Sequence, residues 1–108
     1  MRIAWHPIKD YPGYEVNRLG QIRTKTGRIL KPFDDHRGYL RVTLGGKNVR
    51  VHLIVAKTFI PNPDNLPVVN HKRGKKHDNR ASQLEWCTYS DNTKHAWETG
   101  LLKRRISQ

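Results

Sequence analysis

Three prolines within seven residues, Pro61, Pro63 and Pro67, constrain this chain more than any other feature. Proline lacks a backbone donor and fixes its φ, so the segment from Pro61 to Pro67 is neither helix nor central strand. Whatever precedes it must finish at Ile60, and whatever follows must start afresh at Val68. The segment is short and leads straight into Val68-Val69, which reads as an ordered connector rather than a linker between domains. Length agrees: 108 residues, 35% of them hydrophobic, fill one thin core. The expectation is a single compact domain over 1–108, with a β-rich part at 1–50, a second part at 51–100 and a basic tail at 101–108.

Upstream of the prolines the chain reads as short strands between tight turns. Tyr14-Glu15-Val16 and Gln21-Ile22-Arg23 flank a turn at Leu19-Gly20, and Arg28-Ile29-Leu30 follows one at Thr26-Gly27. Tyr39 to Leu44 is a clearer strand, turning through Gly45-Gly46-Lys47-Asn48 into Val49 to His52. Its alternation sets Arg41 and Thr43 on one face against Leu40, Val42 and Leu44 on the other. His52 either continues the polar parity of Arg50 or starts the next element, a short helix from His52 to Ile60 with Leu53, Ile54, Ala56 and Phe59 at helical spacing.

Downstream, Val68 to His71 and Leu84 to Thr88 read as two strands around a polar basic loop, Lys72 to Ser82. Ser90 reads as the N-cap of a helix from Asp91 to Thr99, with Gly100 placed to end it. Asp91 suits the positive end of that helix. The last third is therefore a ββα unit with a long basic loop, and the chain as a whole is α+β.

Charge then narrows the partner. Lys and Arg number 21 against nine Asp and Glu, a formal net charge of +12, which favours a polyanion and above all nucleic acid. The excess is clustered: nine bases and two acids lie between Arg18 and Arg50, five bases and Asp78 between Asn70 and Arg80, and Lys103-Arg104-Arg105 forms a third group. One such run is ordinarily a solvated face, but three with few acids to pair them read as a phosphate-tracking surface. Its candidate contacts are Arg23, Arg28, Lys31, Arg37, Arg41, Arg50, Lys72, Arg73, Lys75, Lys76 and Arg80. With one cysteine, Cys87, the chain forms no internal disulfide. Met1 to Lys9 lacks an apolar signal region and no apolar run is long enough to span a bilayer, so a cytoplasmic protein is expected.

Asn70-His71 at a strand end, Gln83 twelve residues after His71 and Asn92 at the start of the helix carry a family resemblance. The chain resembles the HNH endonucleases of the phage and group I intron homing type over nearly its whole length. Trp5-His6-Pro7-Ile8, Tyr14-Glu15-Val16-Asn17 and Leu19-Gly20-Gln21-Ile22-Arg23 look like the small DNA-binding module that precedes many of these nucleases. Val51 to Pro63, Val69-Asn70-His71, Asp78-Asn79-Arg80 and Leu84-Glu85-Trp86 are similar to the nuclease core. The resemblance implies a short-stranded N-terminal β region packed on a ββα-metal, or His-Me finger, core. It further implies hydrolysis of DNA, presumed double-stranded in this reading, by nicking or double-strand cutting to 5′-phosphate and 3′-hydroxyl ends.

On the same ground His71 is expected as general base and Asn70 and Asn92 as ligands of one divalent cation, Mg²⁺ or Mn²⁺. Some relatives have Asp where this chain has Asn70, so two neutral amides are expected to bind the cation weakly without DNA. Gln83 stands where the family name calls for Asn, and its extra methylene is expected to loosen the orientation of the base and slow the reaction. Plainer roles stand beside these: a surface or capping histidine at 71, an early-turn helix residue at Asn92, with His95 a replacement ligand or a packing residue. His52 reads as support for its helix and His77 as a loop residue near phosphate. Trp5, Trp86 and Trp97 read as core, and Phe33 and Tyr39 as core before base-stacking. Zinc on His71, His77, His95 and Asp78 is disfavoured by their scattered spacing. A different class also accounts for the charge: an HNH-fold DNA-binding protein made inactive by Asn70 and Gln83.

Overall fold

A computed structural model describes residues 3–98, with side chains described through residue 94. His95 and Trp97 as side chains, Gly100 and the basic cluster at 103–105 lie outside the described residues. Within them the architecture is α+β, with three small antiparallel sheets and two helices.

The first sheet joins β1 (His6–Pro7), β2 (Tyr14–Val16) and β3 (Ile22–Thr24) in that order. Asn17 sets the β2–β3 turn. Fully buried, it accepts from the Leu19 and Gln21 backbone amides through Oδ1, at 3.0 Å each, and donates to the Gln21 side chain. That is the local backbone mimicry that makes Asn a turn residue. The expected strand at 28–30 shrinks to a single bridge between Arg23 and Ile29. Ile29 is 56% exposed, so that segment has little core to hold it as a full strand.

The second sheet joins β4 (Phe33–Asp34), β5 (Leu40–Leu44) and β6 (Lys47–Arg50). Gly45-Gly46 is the two-residue turn of the β5–β6 hairpin, with Leu44 paired to Lys47. Val42 and Leu44 are buried while Thr43 is exposed, as the alternation requires. Two-residue β1 and β4 are too short to carry a sequence signal, and they went unforeseen.

Helix α1 (Val51–Phe59) begins one residue before the expected start, so His52 lies inside it rather than on the hairpin. Pro61 ends it, forcing Ile60 into extended backbone. α1 touches all three sheets, and its Ile54, Val55 and Ala56 sit in one apolar cluster with Val16 and Ile22 of the first sheet and Leu44 of the second. Burial of each Val, Leu or Ile side chain in it contributes about 1.5–3 kcal/mol. The connector is ordered as expected: Asn62 bonds both the N–H and the carbonyl of Leu66 through its side-chain amide.

The third sheet pairs β7 (Val68–His71) with β8 (Leu84–Cys87), and α2 (Tyr89–Glu98) packs against β7. Helix α2 starts two residues earlier than read, because Thr88 and not Ser90 caps it: Thr88 Oγ1 accepts from the Asp91 N–H at 3.0 Å. Trp86 lies against the core and donates its indole N–H to the Ile60 carbonyl, tying β8 to the end of α1. Trp5 is half-buried beneath the Arg23 guanidinium, 4.2 Å from its ring centroid, and lies outside the core. Phe33 also departs from the core reading, at 41% exposure on a strand too short to turn it inward. Among the described residues no helix is long and apolar enough to cross a membrane.

Candidate active site

His71 closes β7 and is buried, 5% exposed. Its Nε2 lies 2.9 Å from Oδ1 of Asn79, itself 5% exposed. An amide oxygen only accepts, so this bond puts the ring proton on Nε2 and leaves a lone pair on Nδ1. Among the described residues Nδ1 makes no hydrogen bond. Burial holds the His71 pKa below the ordinary imidazole value, and Lys76 adds to this. The Asn79 bond and Asp78 pull the other way but do not prevail. The ring is therefore neutral at neutral pH, the form a proton acceptor requires.

Asn79 is the residue that sequence reasoning missed. It is the one amide side chain in the loop 72–82, and that was the available signal. Backbone bonds shape the loop around it, among them the Lys72 N–H to the Gln83 carbonyl, the Gln83 N–H to the Arg80 carbonyl, and the Ala81 N–H to the Arg18 carbonyl at 2.8 Å. The last ends on the turn after β2, so the N-terminal part reaches the loop that carries Asn79. Gln83 is half-buried in a 3₁₀ turn (Ala81–Gln83) and engages the loop through its backbone. Among the described residues its side chain carries no hydrogen bond, while Asn79 makes the contact with the histidine.

A second imidazole stands beside the first. His52 of α1 is 4% exposed, and its ring centroid lies 4.9 Å from that of His71. Tyr39 stacks on His52 at 5.1 Å and is itself crossed by the Arg50 and Lys76 cations. Burial pushes the His52 pKa down to about 3, with the neighbouring His71 and Arg50 adding to the fall and Asp35 opposing it. Its Nδ1 is buried without a hydrogen-bond partner among the described residues. Tyr39 thus covers the histidine pair, a role between the core and base-stacking readings.

Asn70, 7% exposed, lies opposite Glu85 in the β7–β8 ladder and donates from Nδ2 to Glu85 Oε2 at 2.9 Å. Asn92 is half-buried on α2, the helix packed against the strand that carries Asn70. No three His, Cys, Asp or Glu side chains gather at one point among the described residues. The oxygens on offer are those of Asn70 and Asn92 with the Glu85 carboxylate nearby, a hard-donor set suited to Mg²⁺ or Mn²⁺.

The cations do not form one uniform free surface. Arg23 is paired with Glu15, Arg41 and Arg50 share Asp35, and Arg80 forks onto Asp78 through two bonds of 2.8 Å. Burial works against the charge of Asp35, but the Arg41 bond, the Arg37 and Tyr39 amides and the Arg50 charge hold its carboxyl well below the usual range. Lys76 bonds the Arg37 carbonyl, and exposed His77 meets Asp34 at 2.7 Å, clamping the basic loop onto the turn at 34–38. Arg28, Lys31, Arg37, Arg73 and Lys75 are exposed and make no side-chain ion pair among the described residues.

Comparison with known proteins follows the same outline. Residues 4–45 match the NUMOD4 motif. An uncharacterized HNH endonuclease of Acanthamoeba polyphaga mimivirus is 41% identical over 108 residues, covering 95% of this chain and 32% of its own length. The DNA endonuclease I-HmuI of Bacillus phage SP01 is 35% identical over 106 residues, covering 93% of this chain and 61% of that protein. The solved structure of the HNH homing endonuclease I-HmuI, described for DNA binding and cleavage, aligns with a TM-score of 0.78 at 33% identity, over 97% of this chain and 66% of the other. The chain therefore spans less than two thirds of the length of either of these two relatives.

Proposed function

Because the chain belongs to the HNH endonuclease family, of the phage homing type, we propose that it hydrolyses phosphodiester bonds of double-stranded DNA in the host cytoplasm, with a divalent cation and His71 as general base. The observation that carries this reading is the His71–Asn79 bond: a buried neutral imidazole, its proton fixed on Nε2, with Nδ1 left to take a proton from water. Residues 1–50 track the backbone and residues 51–100 form the cutting unit.

Asn79 holds the ring and its tautomer, and Asp78, anchored by Arg80, sets one carboxylate near His71 within the basic loop. His52 stays uncharged next to His71, so it adds no charge repulsion to the imidazolium formed on proton transfer. Asn70 and Asn92 would hold the cation. A cation bound there supplies charge stabilisation to the scissile phosphate and the leaving 3′ oxygen. The exposed cations Arg28, Lys31, Arg37, Arg73 and Lys75 hold the flanking phosphates. The products carry 5′-phosphate and 3′-hydroxyl ends.

Supercoiled plasmid incubated with Mg²⁺ or Mn²⁺ is expected to become nicked or linear, and chelator or His71→Ala to prevent it. Plasmid left equally intact by wild type and variant, with both metals and at low salt, would instead leave an HNH-fold DNA-binding protein.

A further inference from the structure

Two neutral amides offer a divalent cation hard oxygens but no formal charge, yet the strand register sets a carboxylate behind one of them. Asn70 and Glu85 are directly opposed in the β7–β8 ladder, and the Asn70 Nδ2 donates to Glu85 Oε2 at 2.9 Å. We propose that Glu85 is a positioning residue for the cation site, holding Asn70 in one amide orientation and lending it negative charge. This rests on the nuclease reading above and adds to it a residue outside the ligands themselves.

The geometry follows from the planar amide. Engaging Nδ2 with Glu85 turns Oδ1 the other way, and it fixes which of two similar ends of the side chain faces out. Asn70 is 7% exposed, yet among the described residues its Oδ1 makes no hydrogen bond and is not one of the buried atoms that lack a partner. A nearly buried amide with its oxygen still reaching solvent is a ligand atom held ready. Glu85 also polarises the amide, since a carboxylate accepting from N–H moves electron density toward the carbonyl oxygen. The site thereby gains a formal negative charge one side chain away, without a carboxylate at the position of Asn70 itself. Cross-strand pairing for sheet stability alone would make the charge of Glu85 dispensable.

The test separates charge from shape. Glu85→Gln keeps the length and an acceptor oxygen but removes the charge. Binding of Mn²⁺ to the protein without DNA, followed by water-proton relaxation at millimolar metal, should weaken about tenfold. The Mn²⁺ concentration for half-maximal plasmid nicking should rise by a similar factor. A second set of variants is read in chelator by thermal melting. Asn70→Asp places two carboxylates face to face and should lower the melting temperature, while Asn70→Asp combined with Glu85→Gln should recover it. Mn²⁺ binding by Glu85→Gln equal to wild type, or equal melting of the single and double variants, overturns the role of Glu85. If the wild type binds Mn²⁺ and nicks plasmid in those experiments, only the Glu85 proposal falls. If it does neither, the nuclease reading falls and takes this one with it.

Discussion

Gly20, in the turn after β2, lies against the backbone of Asn79: a Cβ at position 20 would stand 2.8 Å from the Asn79 carbonyl oxygen. The β2–β3 turn of the N-terminal sheet therefore abuts the residue that holds His71. Gly20 has φ +86°, where a side chain already costs about 1–2 kcal/mol. Gly20→Ala should destabilise the fold by about 2–3 kcal/mol in urea unfolding and should lower the cleavage rate, because relief of the clash moves Asn79. Gly13, at φ +95° with open space around it, is the control and should lose only the backbone share. Equal losses at the two positions would mean that the close approach to Asn79 has no energetic weight.

The pH dependence of cleavage should follow His71. Its pKa is lowered, so the neutral base persists below the ordinary imidazole range and the acid limb of the rate profile should lie there. The Asn79 bond opposes that shift. Asn79→Asp, with a full charge on the ring, should therefore move the acid limb to higher pH. Asn79→Ala should move it lower while reducing the rate by about a hundredfold, since neither tautomer nor orientation is then held. An acid limb that stays in place in Asn79→Asp would remove His71 from the role of base.

His52 makes a separate prediction about stability. Its folded pKa of about 3 lies below the unfolded value, so as pH falls the unfolded chain takes the proton first. Stability contributed by the neutral ring is complete above the unfolded pKa and is lost progressively from there down to about pH 3. Between pH 7 and pH 5 this amounts to about 2 kcal/mol. His52→Phe keeps a ring for Tyr39 to stack on and removes the titration, so its unfolding free energy should change less over that interval. The same acid slope in both proteins would place the loss elsewhere.

Salt should distinguish the two kinds of cation. Replacing Arg28 and Lys31 together by Gln should reduce the slope of log K against log salt for duplex DNA by about 1.8, two phosphate contacts' worth. Arg41→Gln should leave the slope nearer wild type and weaken the turn at 34–39, because its guanidinium is held by Asp35 at 2.9 Å. A fall in slope of about 0.9 for Arg41→Gln, one full phosphate contact, would show that the Asp35 pair opens on DNA.

The sequence made local features readable wherever they repeat or punctuate. The two strands and helix of the last third, the hairpin at Gly45-Gly46 and the stop at Pro61 each rest on residues adjacent in the chain, and they stand within a residue or two of expectation. The resemblance pointed to His71 and Asn70, which the fold places side by side at the buried end of β7. Asn79 was not legible, because a side-chain bond from a loop to a strand end has no periodicity. The capping hydroxyl was also misplaced: Thr88 and Ser90 are both competent caps, and the length of β8 decides between them. Phe33 was read inward on residue type, whereas a two-residue edge strand cannot bury it.

The bond from the Ala81 N–H to the Arg18 carbonyl has a consequence for the order in which the protein comes into being. A chain leaving the ribosome exposes the strands of its first two sheets first, and the turn at 17–20 waits for a partner made much later. Closing so long a loop costs entropy, which is recovered only when the segment carrying Asn79 settles against that turn. His71 has no fixed tautomer until then. On the nuclease reading proposed above, the proton acceptor therefore depends on a contact between distant parts of the chain, and not on the strand that carries it alone.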